Sequence, residues 1–167
     1  MSDSAPSPLS IRSATRADVP LILKFIRGLA DYEKLAHECE ATEAQLEKTL
    51  FGERPSAEVV IAYRNHEAAG FALFFHNYST FLAKPGLYLE DLFVEPSARG
   101  HGVGRALLAH LAQLAVQRDC GRFEWSVLDW NADAIRFYES LGARPMNDWT
   151  IYRVTGEALN TLASSIS

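Results

Sequence analysis

GLYLEDLFVEPSARGHGVGRALLAHL, residues 86–111, passes through three patterns in succession. Residues 86–94 are apolar and rich in strand formers, broken only by Glu90 and Asp91. Arg99-Gly100-His101-Gly102-Val103-Gly104 follows, a loop with a glycine at every second position. Val103, Leu107, Leu111 and Leu114 then mark one face of a helix over about 102–118. A strand that enters a helix through glycines suits an anion. The first turn of a helix leaves backbone N–H groups unpaired and carries partial positive charge. Glycines let the backbone approach a phosphate without Cβ clashes. A tight turn that needs glycine for positive φ explains the loop equally well. Two nucleotide folds fit less well. A Walker loop requires Lys-Ser/Thr after its last glycine, where this chain has Arg105-Ala106. A dinucleotide fingerprint reads G-x-G-x-x-G, whereas these glycines read G-x-G-x-G.

Outward from this stretch, short patterned segments continue in both directions. Residues 9–14 alternate as a strand. Thr15 and Asp18 form a capping box for a helix over about 16–35, with Pro20 near its start. Thr42 opens a second helix that ends near Gly52. Residues 58–63 and 69–76 are two strands joined by the polar turn Arg64-Asn65-His66-Glu67. Beyond the long helix come a strand over 123–128, a helix capped by Asn131 and stopped by Gly142, a strand over 149–154, and a short helix from Thr155. This order predicts an α/β layered fold with a mixed sheet. Residues 1–8, rich in Ser, Pro and Ala, are expected to be a flexible tail ahead of one domain over 9–167.

Composition narrows the class. The chain has 167 residues, 48% hydrophobic and 22% charged, as expected for a globular domain. Its net charge of -5 disfavours nucleic acid, which needs a basic face. No apolar stretch is long enough to span a bilayer, and no secretory leader pattern is present, so a cytoplasmic protein without a membrane partner is expected. The two cysteines, Cys39 and Cys120, read as free thiols in a reducing compartment. The histidines show no metal spacing, and no metal is expected.

Together these features resemble the GNAT superfamily of acetyltransferases. The superfamily's diphosphate loop has the form Gln/Arg-x-x-Gly-x-Gly/Ala, which residues 99–104 match position for position. Within it, four segments resemble the diamine (spermidine/spermine) acetyltransferases and their thialysine-acetylating relatives. These are Ala30 to Lys34 with its Tyr-Glu pair, Tyr88 to Val94, Trp130-Asn131, and Asn131 to Tyr138 followed by Gly142-Ala143. Residues 39–48 and the chain after Trp149 depart from the group's pattern. The resemblance implies the GNAT acyltransferase fold, a mixed and mostly antiparallel sheet of six to seven strands flanked by helices. It also implies acetyl-CoA as co-substrate, a small primary amine as acceptor, and a homodimer.

Acyl transfer from a thioester to an amine needs three things. An amine of pKa ~10.4 must lose a proton, the developing oxyanion must be stabilised, and the departing thiolate must be protonated. Glu90 is the candidate base. On a regular strand it points opposite to Asp91, and burial in an apolar run would raise its pKa. It could equally hold the substrate's ammonium as an electrostatic anchor, and Asp91 is next in line for either task. The resemblance makes Tyr138 the candidate acid, although a helical tyrosine is also ordinary core packing. It makes the backbone of Leu92, Phe93 and Val94 the cradle for pantetheine. Arg99, Gly100, His101, Gly102, Val103 and Gly104 are assigned to the diphosphate, and Asn131 to pantetheine as well as to its helix cap. Tyr32 and Glu33 fall on the acceptor side, where Glu33 could meet a second ammonium or stand as an ordinary helix-end charge. Trp130 and Trp149 fit either the pocket or the core. Three functions remain open: transfer to a small polyamine, diamine or lysine-like amine; transfer to a protein N-terminus or lysine; and acyl-CoA sensing without catalysis.

Overall fold

The structure, a computed structural model, describes residues 8–166. Apart from Pro8, the expected N-terminal tail lies outside the described residues. The chain divides into two compact units, one up to Ser126 and one from Val127 onward.

The first unit holds one open sheet of five strands. β1 (Leu9–Ser13), β2 (Glu58–Arg64), β3 (Glu67–Ser79), β4 (Lys84–Val94) and β5 (Phe123–Trp125) lie in sequence order. The first four pair antiparallel and β5 joins β4 in parallel. α1 (Val19–Tyr32) follows β1 through a 3-10 turn, α2 (Glu43–Phe51) precedes β2, and α3 (Val103–Gln117) connects β4 to β5.

Local chemistry sets these boundaries. Asp18 accepts a hydrogen bond from the Thr15 backbone N–H at 2.7 Å, as the capping box requires. The same carboxylate takes the Arg12 guanidinium at 2.7 Å, a hydrogen bond that holds its pKa down at about 2. Thr42 and Gln45 exchange the reciprocal pair of capping bonds at the start of α2. Asn65 and His66 both adopt positive φ, so the two-residue turn follows the strands' twist. α1 closes on Lys34 at φ 62, with Leu35 N–H bonded to the Ala30 carbonyl and Lys34 N–H to that of Asp31.

Apolar residues cover both faces of the sheet. On one, Val19, Ile22, Leu23 and Phe25 of α1 and Leu46 and Leu50 of α2 pack on Val59, Ile61, Phe71 and Phe93. Phe25 stacks on Phe71 with ring centres 5.5 Å apart, an arrangement worth ~1 kcal/mol beyond area burial. α1 approaches Phe93 closely at Gly28, where a Cβ would stand 2.7 Å from the ring. Alternation turns Val60, Ala72, Phe74, Leu87 and Leu89 to the opposite face, where α3 buries Val103, Leu107 and Leu111.

The second unit carries α4 (Ala132–Ser140) and α5 (Gly156–Ala163). The expectation of six to seven strands is corrected here: five form among the described residues, and residues 149–154 form none. That segment is rich in strand-forming residue types, but a strand exists only through a ladder partner. Trp149 is 77% exposed and Tyr152 91%. β5 likewise stops at Trp125 rather than at residue 128. Among the described residues, no helix is long and apolar enough to cross a membrane.

Candidate active site

A one-residue irregularity in β4 organises the site. In the ladder with β3, Leu73 stands opposite Asp91 and the next residue, Phe74, stands opposite Leu89. Glu90 is therefore an extra residue, a β-bulge. Up to the bulge, Leu87 and Leu89 face α3; beyond it, Asp91 and Phe93 face α1. Tyr88 and Glu90 alternate with Leu87 and Leu89, so Glu90 shares the α1 face with Asp91. The expectation that the two carboxylates point apart is overturned, because the bulge breaks the alternation on which it stood. The sequence carried no signal of the bulge, because residues 87–89 and 92–94 are apolar or aromatic throughout and show no alternation that could shift.

The two carboxylates also differ in environment. Glu90 is exposed and Asp91 is partly buried, so the desolvation expected of Glu90 falls on its neighbour. Burial, joined by the charges of Glu90 and Glu33, pushes the Asp91 carboxyl up to about 6. Glu33, just past the end of α1, is itself raised by burial. Asp91 is thus the carboxyl brought toward neutral pH, by burial and by the charges of Glu90 and Glu33.

Tyr32 lies beside them. The Arg99 guanidinium sits 5.0 Å from the centre of the Tyr32 ring and 5.8 Å from that of Phe93. Its Nε donates to the Val94 carbonyl at 3.0 Å. The first residue of the glycine loop is therefore fastened to the end of β4 and the end of α1.

The β4–β5 ladder ends at Leu89 and Trp125, so the outer edge of Leu92, Phe93 and Val94 has no strand partner among the described residues. The Phe93 ring belongs to the core, and only its backbone is left for a ligand. Gly100 and Gly102 hold φ of 77 and 78, with nothing within 4 Å of a Cβ at either position. Gly102 caps α3, whose first turn carries no acidic residue. Ala106 N–H makes a helical bond to the Gly102 carbonyl, which leaves the N–H groups of Val103 and Gly104 before it without helical acceptors. His101 is exposed in the loop. Open space at Gly100 and Gly102, a helix N-terminus without an acidic residue in its first turn, and flanking Arg99 and Arg105 fit a diphosphate.

In the second unit, Asn131 caps α4, its Oδ1 accepting from Ala134 N–H at 3.3 Å. Tyr138 is half-buried, its ring 5.6 Å from that of Phe137. Trp130 and Trp149 are both exposed, which removes the core reading for each.

Comparison with known proteins identifies the family. The model of the acetyltransferase (GNAT) family matches residues 26–143. The chain is 36% identical to L-ornithine N5-acetyltransferase of Arabidopsis thaliana, covering 91% of this chain and 86% of that protein. It is 37% identical to thialysine N-epsilon-acetyltransferase of Sus scrofa, covering 92% and 96%. Among solved structures, an integron cassette protein from the mobile metagenome of V. cholerae superposes with a TM-score of 0.81 at 29% identity, over 95% of this chain and 99% of that one.

Proposed function

The chain belongs to the GNAT acetyltransferase family, and on that premise we propose that it moves the acetyl group of acetyl-CoA directly to the primary amine of a small polyamine, diamine or lysine-like substrate. The observation that carries this reading is the bulge, which sets two carboxylates side by side next to an unpaired strand edge and a diphosphate-shaped loop. The relatives that act on ornithine and thialysine, both small amines, support the acceptor class. We take residues 9–167 as one such domain, cytoplasmic and homodimeric, on the family resemblance.

In this reading the glycine loop and the start of α3 hold the diphosphate of acetyl-CoA, with Asn131 and the backbone of Leu92, Phe93 and Val94 along the pantetheine arm. The bound donor supplies a thioester carbonyl open to attack. A backbone N–H at the unpaired edge of β4 polarises that carbonyl. Glu33, Glu90 and Asp91 gather the cationic amine, with Tyr32 beside them. Asp91, with its pKa near neutrality, accepts a proton from the ammonium, and exposed Glu90 relays it to water. As the C–N bond forms and the C–S bond breaks, the Tyr138 hydroxyl delivers a proton to the departing sulfur.

The decisive experiment is a CoA-release assay with acetyl-CoA over a panel of polyamines, diamines, ornithine, lysine and peptides. Turnover with small amines supports the reading. Turnover with peptides alone makes the chain a protein acetyltransferase, and binding without turnover makes it a sensor.

Two variants test the roles. Tyr138→Phe keeps the ring and loses the hydroxyl. Turnover should fall about 10²-fold, at the lower end for an acid–base group, with acetyl-CoA affinity preserved. An unchanged rate would leave Tyr138 as packing. Glu90→Gln removes one of the charges that raise the Asp91 pKa. The acidic limb of the pH–rate profile should therefore move to lower pH, while the amine KM rises. A profile that stays in place would uncouple the two carboxylates.

A further inference from the structure

Two aromatic side chains stand on the carboxylate face of the sheet outside the apolar cluster that α1 and α2 form with it among the described residues. Phe75 and Tyr88 face one another across the β3–β4 ladder, their rings 5.2 Å apart and tilted by 36°. Alternation along β3 puts Phe75 on the same side as Phe71 and Leu73, and so on the side of Asp91. The apolar cluster beneath α1 and α2 includes Phe71, Phe93 and Leu73 and goes no further in this direction. Phe75 and Tyr88 lie beyond it, both half-buried. The Tyr88 hydroxyl lies 2.8 Å from Ser126 Oγ, which anchors the outer end of the side chain. Along one face of β4 the order is thus an anchored aromatic, Tyr88, followed by the carboxylates Glu90 and Asp91.

We propose that Phe75 and Tyr88 form the wall of the acceptor site along which the hydrocarbon stem of the substrate lies while its ammonium meets Glu90 and Asp91. The proposal rests on the acetyl-transfer reading above and narrows its substrate class to amines with an unbranched apolar stem. Methylene groups gain from leaving water for aromatic faces, and an ammonium within about 6 Å of such a ring gains further. The hydroxyl groups of an amino sugar would be desolvated against the same rings without partners. The wall therefore favours alkyl amines and ω-amino acids over hydroxylated amines.

The test uses unbranched monoalkylamines of three to six carbons, which carry a single ammonium, together with glucosamine. For the wild-type protein the amine KM should fall by up to about fourfold per added methylene, the transfer free energy of one CH₂. Glucosamine should be acetylated worse than any of them. Phe75→Leu and Tyr88→Leu should each raise the KM of the six-carbon amine about tenfold and flatten its dependence on length. Their kcat should change less than about threefold and their acetyl-CoA KM should stay as in the wild type. Tyr88→Phe, which keeps the ring, should retain the length dependence. A wild-type KM indifferent to chain length overturns the wall without recourse to any variant. So do folded Leu variants with unaltered amine KM, or glucosamine matching the alkylamines. A wild-type protein that acetylates no amine overturns the acetyl-transfer reading itself, and the wall with it.

Discussion

Replacing Gly102 with Glu should abolish acetyl-CoA binding while the fold survives. Two effects act together. Gly102 holds φ 78, where a residue with a Cβ costs about 1–2 kcal/mol. Nothing in the protein occupies the space its side chain would enter, so a carboxylate there meets the bound diphosphate rather than the core. It also adds negative charge at the helix end that would otherwise attract the anion. Affinity should fall more than about a hundredfold, equivalent to ~2.7 kcal/mol. Gly102→Ala pays the backbone cost without the charge, and should lose far less. Calorimetric titration with acetyl-CoA, after circular dichroism has established that each variant is folded, measures both. Unchanged affinity for Gly102→Glu would remove the loop from the site.

Asp91→Asn should have the largest effect on chemistry. The amide keeps the shape and cannot take a proton, so turnover should drop by about 10²–10⁴. Because burial and the neighbouring charges hold the wild-type carboxyl at about 6, the wild-type rate should fall as the pH drops below that value. The residual activity of the variant should lack this limb. A separate readout comes from stability. A carboxyl whose pKa is higher in the folded chain than in the unfolded one binds more protons when folded over the interval from about 4 to about 6. Stability therefore declines as pH rises through that window. The asparagine variant has no such group. Its melting temperature should lose this decline and should match or exceed that of the wild type at pH 7. Normal turnover in a folded Asp91→Asn variant would transfer the role of base to Glu90.

Much of the site was legible because its signals are short. The glycine loop, the Asn131 cap and the Thr15–Asp18 box each involve groups within about four residues of one another, and each forms as its residue types require. The environment of the carboxylates was not legible in the same way. Glu90 and Asp91 occupy adjacent positions in one apolar run, yet one is exposed and the other desolvated. The difference lies in what packs above them: the end of α1, with Glu33, comes from some 60 residues earlier in the chain. The Tyr32–Arg99–Phe93 stack has the same origin, joining three segments that no spacing rule connects.

The amino-acid sequence by itself determined most of the helices and strands, their order up to β5 and the family. These follow from side-chain periodicity, capping groups and the φ freedom of glycine, all of which act locally. Only the tertiary structure decided the number of strands, the shared face of Glu90 and Asp91, and which of the two is desolvated. A strand needs a partner, a bulge is defined against the strand beside it, and desolvation depends on every group that approaches. Residues 149–154 have the residue types of a strand and no ladder, while Glu90 has an apolar neighbourhood in sequence and an exposed one in space. In both, long-range contacts overrode a correct local pattern.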